Sequence, residues 1–162
     1  MLIKFSEEQT MIRDMVREFT KKEVEPRDKW TDENGFDFNL YNRLCSTGLV
    51  GVHFPEEYGG AGCDAVTSTI VIHELSKGSA SLALALDISW VASDMILHNG
   101  TPEQKSKYLP LAAEGKIFAF GLTEARAGSD AARIQTTAVK APDGGWILNG
   151  GKSWITNSGV AD

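Results

Sequence analysis

The chain has 162 residues, 42% of them hydrophobic and 23% charged, an ordinary globular composition with enough chain to bury a core. Its formal net charge is −6 and no Lys/Arg run offsets it, which argues against a nucleic-acid partner. A small anion stays open to it, because backbone N–H groups bind anions on acidic proteins as well.

The first two-thirds reads as helices. Ser6-Glu7-Glu8-Gln9 is a capping box, and Ile12, Met15, Val16 and Phe19 follow at helical spacing. Pro26 is expected to end that helix at about Glu25. A short helix is predicted from Asn39 to Thr47, with Leu40 and Leu44 on one face and Gly48 as its C-terminal cap. PEEYGGAG, Pro55 to Gly62, is a loop by composition. Helices are expected at about Ala65–Lys77 and Ser81–Asn99, the second closed by Gly100. Thr101-Pro102-Glu103-Gln104 opens another, which should end near Glu114-Gly115.

Texture changes at about Gly115–Ile117. IFAFGLTE, Ile117 to Glu124, is a short apolar run, and IQTTAVKA, Ile134 to Ala141, alternates and is rich in β-branched residues. PDGG, from Pro142, reads as a hairpin turn, and WILNGGKSWITN, Trp146 to Asn157, as strand, Gly-Gly break, strand. The fold class is therefore α+β: an all-α helical domain over residues 1–115, then the first strands of an antiparallel β domain over 116–162. So few strands cannot close a sheet, so the expectation is the front part of a longer architecture.

Cys45 and Cys63 form no CxxC pattern and read as free thiols in a reducing compartment, a disulfide between them being the lesser alternative. His53, His73 and His98 stand apart with no metal spacing, so no metal is expected. The N-terminus carries acids throughout and reads as neither signal nor transit peptide. No run is expected to span a membrane, because Asp87 and Asp94 interrupt the longest apolar stretch, Ser81 to Leu97. A soluble, intracellular protein is the expectation.

Phe120 to Gln135, FGLTEARAGSDAARIQ, spends many small hydrogen-bonding residues directly after a strand-like run. Read alone, Thr123 is a strand-end hydroxyl bonded to its own backbone, and Ser129-Asp130 a polar turn. WIT at Trp154 reads alone as ordinary strand packing.

Five stretches in this order change that reading. They are FSEEQTMIRDMVREF, GLVGVHFPEEYGGAG, GTPEQKSKYLPLAAEGK, FGLTEARAGSDAA and LNGGKSWITNSGVAD, and together they span nearly the whole chain. The chain resembles the N-terminal portion of the acyl-CoA dehydrogenase family of flavoenzymes. The resemblance implies a helical domain, a middle β domain cut short, and no C-terminal helical bundle. It implies FAD as cofactor, an acyl-CoA substrate oxidised between its α and β carbons, and an electron-transferring flavoprotein as acceptor.

It also implies site residues. Phe120, Leu122, Thr123, Gly128 and Ser129 would form a first flavin segment, and Trp154, Ile155 and Thr156 a second. Ser129 would be shared with the substrate. The helix from Ser81 would bound the acyl pocket, with Leu82, Leu84, Leu86, Asp87 and Trp90 shaping its depth, and Leu86 and Trp90 as the substrate-binding pair. The catalytic glutamate of the family lies in the C-terminal domain, so no residue here takes that role, Glu124 included. Full-length members are usually homotetramers, located in the cytoplasm of bacteria or, once processed, in the mitochondrial matrix. One departure stands out: the family's TEPNAGSD is TEARAGSD here, with Ala125 for the rigid proline and Arg126 as an added charge. A non-catalytic assembly module on the same fold, and a sister flavoenzyme such as an acyl-CoA oxidase or flavin monooxygenase, stay open as alternatives.

Overall fold

The computed structural model describes residues 4–27 and 35–162. Helix α1 (Glu7–Phe19) starts at the predicted capping box: the Ser6 hydroxyl accepts from the Gln9 N–H and the Gln9 side chain accepts from the Ser6 N–H, each at 3.0 Å. Ile12 and Val16 are buried, while Met15 points outward at 42% exposure, so the apolar stripe is narrower than its spacing suggests. The expected single helix to Glu25 is not formed. The chain widens into a π turn (Thr20–Val24), where the Glu25 N–H reaches the Thr20 carbonyl, and then tightens into a 3-10 turn (Glu25–Arg27). Pro26 has no N–H to give the α register and its ring crowds the preceding turn. The Thr20 hydroxyl is also drawn to the Glu74 carbonyl at 3.3 Å.

Helix α2 (Phe38–Cys45) begins one residue earlier than expected because Asp37 caps it, accepting from the Leu40 N–H at 2.9 Å. Helix α3 (Ala65–Ser76) is capped by Asp64, α4 (Ala80–Asn99) by Ser79, and α5 (Pro102–Ala113) by the predicted Thr101–Gln104 box. Helix α1 packs on α3, α3 on α4, and α4 on α5. Val16, Leu44, Phe54, Val71, Leu86 and Leu109 sit at the centre of one continuous core. With its 20 residues α4 does have the length and apolar content to cross a membrane, contrary to expectation, yet Leu82, Leu86 and Trp90 are buried in that core.

One charged group is buried with it. Glu74 on α3, 3% exposed, takes a two-pronged hydrogen bond from Arg17 of α1 at 3.0 and 3.1 Å and one from Lys77 at 2.8 Å. Burial alone would raise its pKa, but the bonds and charges of Arg17 and Lys77 outweigh it and hold the carboxyl down at about 2.

After α5 the chain turns at Gly115, whose φ of +95° and whose contact with the Cys45 sulfur leave no room for a Cβ. Beyond it, strands β1 (Thr137–Lys140) and β2 (Trp146–Asn149) pair antiparallel, Thr137 opposite Asn149, across the predicted PDGG turn. The other two predicted strands do not form. Ile117–Glu124 finds no ladder partner: the Ile117 N–H goes to the Asp162 carboxylate at 2.9 Å and the Phe118 N–H to the Ser89 hydroxyl at 3.2 Å. The stretch after the Gly-Gly break cannot stay extended, because Trp154 and Asn157 take positive φ of 61° and 68°. Cys45 and Cys63 are both free thiols.

Candidate functional site

Glu124 is the knot of the loop that the sequence singled out. Its backbone exchanges two hydrogen bonds with Ala127, at 2.9 and 3.1 Å, closing a tight turn over Ala125 and Arg126. The turn therefore forms without the family's proline. Its carboxylate accepts from the Gln135 N–H at 2.8 Å, the Thr136 N–H at 3.1 Å and the Lys152 ammonium at 2.8 Å. The Lys152 hydrogen bond first, then those of Thr136 and Gln135, lower its pKa to about 2. A carboxylate so fully engaged is a structural clamp and a poor proton acceptor.

Lys152 joins the two candidate segments. It also donates to the Leu122 carbonyl at 3.1 Å, and next to it the Ser153 N–H donates to the Thr123 carbonyl at 2.9 Å. Gly150 packs so closely on Thr136 that a Cβ there would collide with its side chain, which fixes the base of the hairpin against the same loop. A second knot ties both segments to α4. The Asn157 side-chain amide donates to the Ala85 carbonyl at 2.8 Å and the Phe118 carbonyl at 2.9 Å, and lies 3.3 Å from the Ser89 hydroxyl.

The structure thus brings Leu122 and Thr123 beside the turn that carries Trp154, Ile155 and Thr156. Phe120, Thr123, Ile155 and Thr156 are half-buried, Leu122 is exposed, and the Trp154 indole is 94% exposed. Gly128 and Ser129 are exposed too, and a Cβ at Gly128 would meet nothing within 4 Å. No hydrogen bond ties Gly128 or Ser129 to the other segments among the described residues.

Leu86 and Trp90 lie inside the helical core, 1% and 5% exposed. The Trp90 indole N–H donates to the Val50 carbonyl at 2.7 Å, and its ring meets His53 edge-on at 4.8 Å. Leu82 is buried beside them, while Leu84 is 48% exposed on the outer side of α4. Asp87 and Trp90 reach the wall of an open cleft of about 420 Å³ between α3 and α4, which His53, Cys63 and Asp94 also line.

The arrangement can hold a flat, acceptor-rich ring. The carbonyls of Leu122 and Thr123 are spent inside the fold, whereas their N–H groups donate to nothing among the described residues. Free N–H groups on a pinned backbone suit developing negative charge, and an exposed indole suits a ring face. These features fit a flavin at residues 120–123 and 154–156. Sequence reasoning missed Ser89, Lys152 and Asn157. Lys152 and Asn157 stand inside the stretch that carried the resemblance, but Ser89 gives no local sign of its role.

A helical half followed by a hairpin and two knotted loops defines an acyl-CoA dehydrogenase scaffold, and the sequence comparisons agree. The family model described as acyl-CoA dehydrogenase, N-terminal domain, matches residues 6–116, and the one described as the middle domain matches residues 119–162. The chain belongs to the acyl-CoA dehydrogenase family. An acyl-CoA dehydrogenase of Bacillus subtilis (strain 168) is 44% identical, over 97% of this chain and 42% of its own length. Among solved structures, a chain from work on the electron transferring flavoprotein of Acidaminococcus fermentans superposes with a TM-score of 0.94 at 41% identity, covering 100% of this chain and 43% of that one. An acyl-CoA dehydrogenase from Bacillus anthracis, complexed with FAD, gives 0.91 at 39% identity, over 98% and 28%. The chain thus spans 42% of the length of the Bacillus subtilis relative.

Proposed function

We propose that this chain forms the helical wall and the flavin-facing loops of an FAD-dependent acyl-CoA dehydrogenase. The reaction is oxidation of the α–β bond of an acyl-CoA thioester to the 2-enoyl-CoA. The observation that carries this reading is the pinned pair of segments, whose Leu122 and Thr123 N–H groups find no partner among the described residues and whose Trp154 indole is exposed. Bound there, FAD supplies the hydride-accepting chemistry that no side chain provides. The Leu122 and Thr123 amides and the Thr156 hydroxyl orient the ring, and Trp154 covers it. Ser129 reaches ligand from the free loop, and α4 with Leu86 and Trp90 backs the acyl group. Glu124 stays ionised and engaged and is not the base that takes the α-proton, which the family resemblance places outside residues 1–162. Electrons pass to an electron-transferring flavoprotein, and the working assembly is a cytoplasmic homotetramer in this reading. The family membership and the FAD complex of the Bacillus anthracis relative support it.

The test is a chimera in which residues 1–162 replace the matched segment of the Bacillus subtilis relative. The expected product is a yellow protein whose flavin band bleaches when acyl-CoA is added without oxygen. A folded, colourless chimera, or a yellow one that no acyl-CoA bleaches, overturns the reading.

A further inference from the structure

We propose that Asn157 is the positioning residue that sets both flavin-facing segments against α4, an inference that rests on the function proposed above. Its side-chain amide sits between two carbonyl oxygens, Ala85 on α4 at 2.8 Å and Phe118 on the loop after α5 at 2.9 Å. Two acceptors require the NH2 end of the amide there, so each of its hydrogens has a defined target. Ser89, buried on α4, completes the knot: its hydroxyl accepts from the Phe118 N–H at 3.2 Å and donates to the Ala85 carbonyl at 3.0 Å. One side chain therefore spans three parts of the chain that no regular ladder joins.

The backbone at this position explains the choice of residue. Asn157 has φ of 68°, a left-handed conformation that Asn adopts more readily than most side chains. Its carbonyl also accepts from the Val160 and Ala161 N–H groups at 2.9 and 2.8 Å, so the turn that follows is built on it. Thr156 lies one residue before the knot and Phe120 two residues after Phe118, so the knot fixes how far each stands from α4. Glu124 and Lys152 hold the two segments to each other, and among the described residues Asn157 and Ser89 supply their hydrogen bonds to the helix that backs the acyl group. The orientation of ring to acyl group then depends on a residue that touches neither, and misplacement of about 1 Å is enough to cost rate.

Asn157→Asp separates this role from the turn. It keeps the shape and tolerates the backbone, but it sets an anionic acceptor against two carbonyls. In the 162-residue chain, amide hydrogen exchange at Phe118 should accelerate at least tenfold, with Ser153, α1 and α3 unchanged. In the FAD-loaded chimera, the same substitution should raise the FAD Kd at least tenfold. Ser89→Ala, which removes the Phe118 acceptor and the bond to Ala85 but leaves the two carbonyls to the Asn157 amide, should give a smaller change in the same direction. Unchanged exchange overturns the proposal. Faster exchange with an unchanged FAD Kd also overturns it, leaving the amide a plain structural contact. If the unsubstituted chimera binds no FAD, the functional reading itself fails and the proposal falls with it.

Discussion

Trp90→Phe measures whether the indole belongs to the core. The indole N–H is the partner that the structure gives the Val50 carbonyl, at 2.7 Å, and Val50 is only 2% exposed. Phenylalanine leaves that carbonyl buried and unpaired, which costs about 1–3 kcal/mol. It also removes roughly 40 Å³ of ring from a packed interior, worth about 1 kcal/mol at ~24 cal/mol per Å³. The sum is about 2–4 kcal/mol, or a fall in melting temperature of roughly 5–15 °C for a chain of this size. Thermal and urea unfolding followed by circular dichroism at 222 nm read it directly. A melting temperature within about 2 °C of the parent would refute the core assignment. Should the same substitution instead alter acyl preference in the chimera with no loss of stability, Trp90 would face ligand, as the sequence suggested.

Thr101→Ala removes the cap of α5 and should cost about 1 kcal/mol in urea unfolding, with little further loss when Gln104→Ala is added, because the two residues share one reciprocal box. Gly115→Ala should cost about 2–4 kcal/mol from a left-handed backbone and a collision with Cys45, and a neutral effect in the same assay would show that the turn relaxes. Glu74 and Glu124 are both held at about 2, below the ordinary 4.5, so their stabilising share is complete above about pH 4.5 and is lost as pH falls from there towards 2. Glu74→Gln should lower the urea midpoint at pH 7 and lower it much less at pH 2.5; an equal drop at both would mean that ionisation is irrelevant at this site.

The helical half was legible because its signals are local. Ser6–Gln9 and Thr101–Gln104 are boxes within four residues, and the structure forms both. Gly48 stands with φ of +77° after α2, as its place predicted. The π turn after Phe19 was hidden, since Pro26 marks only that the helix ends, and the contact of Thr20 with Glu74 that accompanies the turn spans 54 positions. The predicted strands failed for the same reason. An apolar run such as Ile117–Glu124 has strand propensity, but a strand exists only with a ladder partner, and here Asp162 and Ser89 take the N–H groups of Ile117 and Phe118 instead. At the candidate site the resemblance located the two segments but not what holds them. Ser89 and Asn157 are 68 positions apart, and an Asn after Thr reads locally as a turn residue only.

Rigid precision on loops has a physical cost, and the way it is met here separates two kinds of support. A loop without ladder bonds must satisfy its backbone elsewhere or leave it to water. In this chain the carbonyls of Phe118, Leu122 and Thr123 are satisfied by Asn157, Lys152 and Ser153, and the Gln135 and Thr136 N–H groups by Glu124. These bonds consume acceptors on the first segment and, among the described residues, leave the N–H groups of Leu122 and Thr123 unspent. That asymmetry suits the acceptor atoms of a ring edge, which take hydrogen bonds from donors. The charged clamp and the neutral amide then have different tasks. Glu124 and Lys152 carry opposite charges and set the two segments against each other. Asn157 is neutral, so it ties them to α4 without adding charge to the segments. Replacing the clamp should therefore loosen the loops as a pair, whereas replacing the amide should leave the pair intact and shift it on the helix.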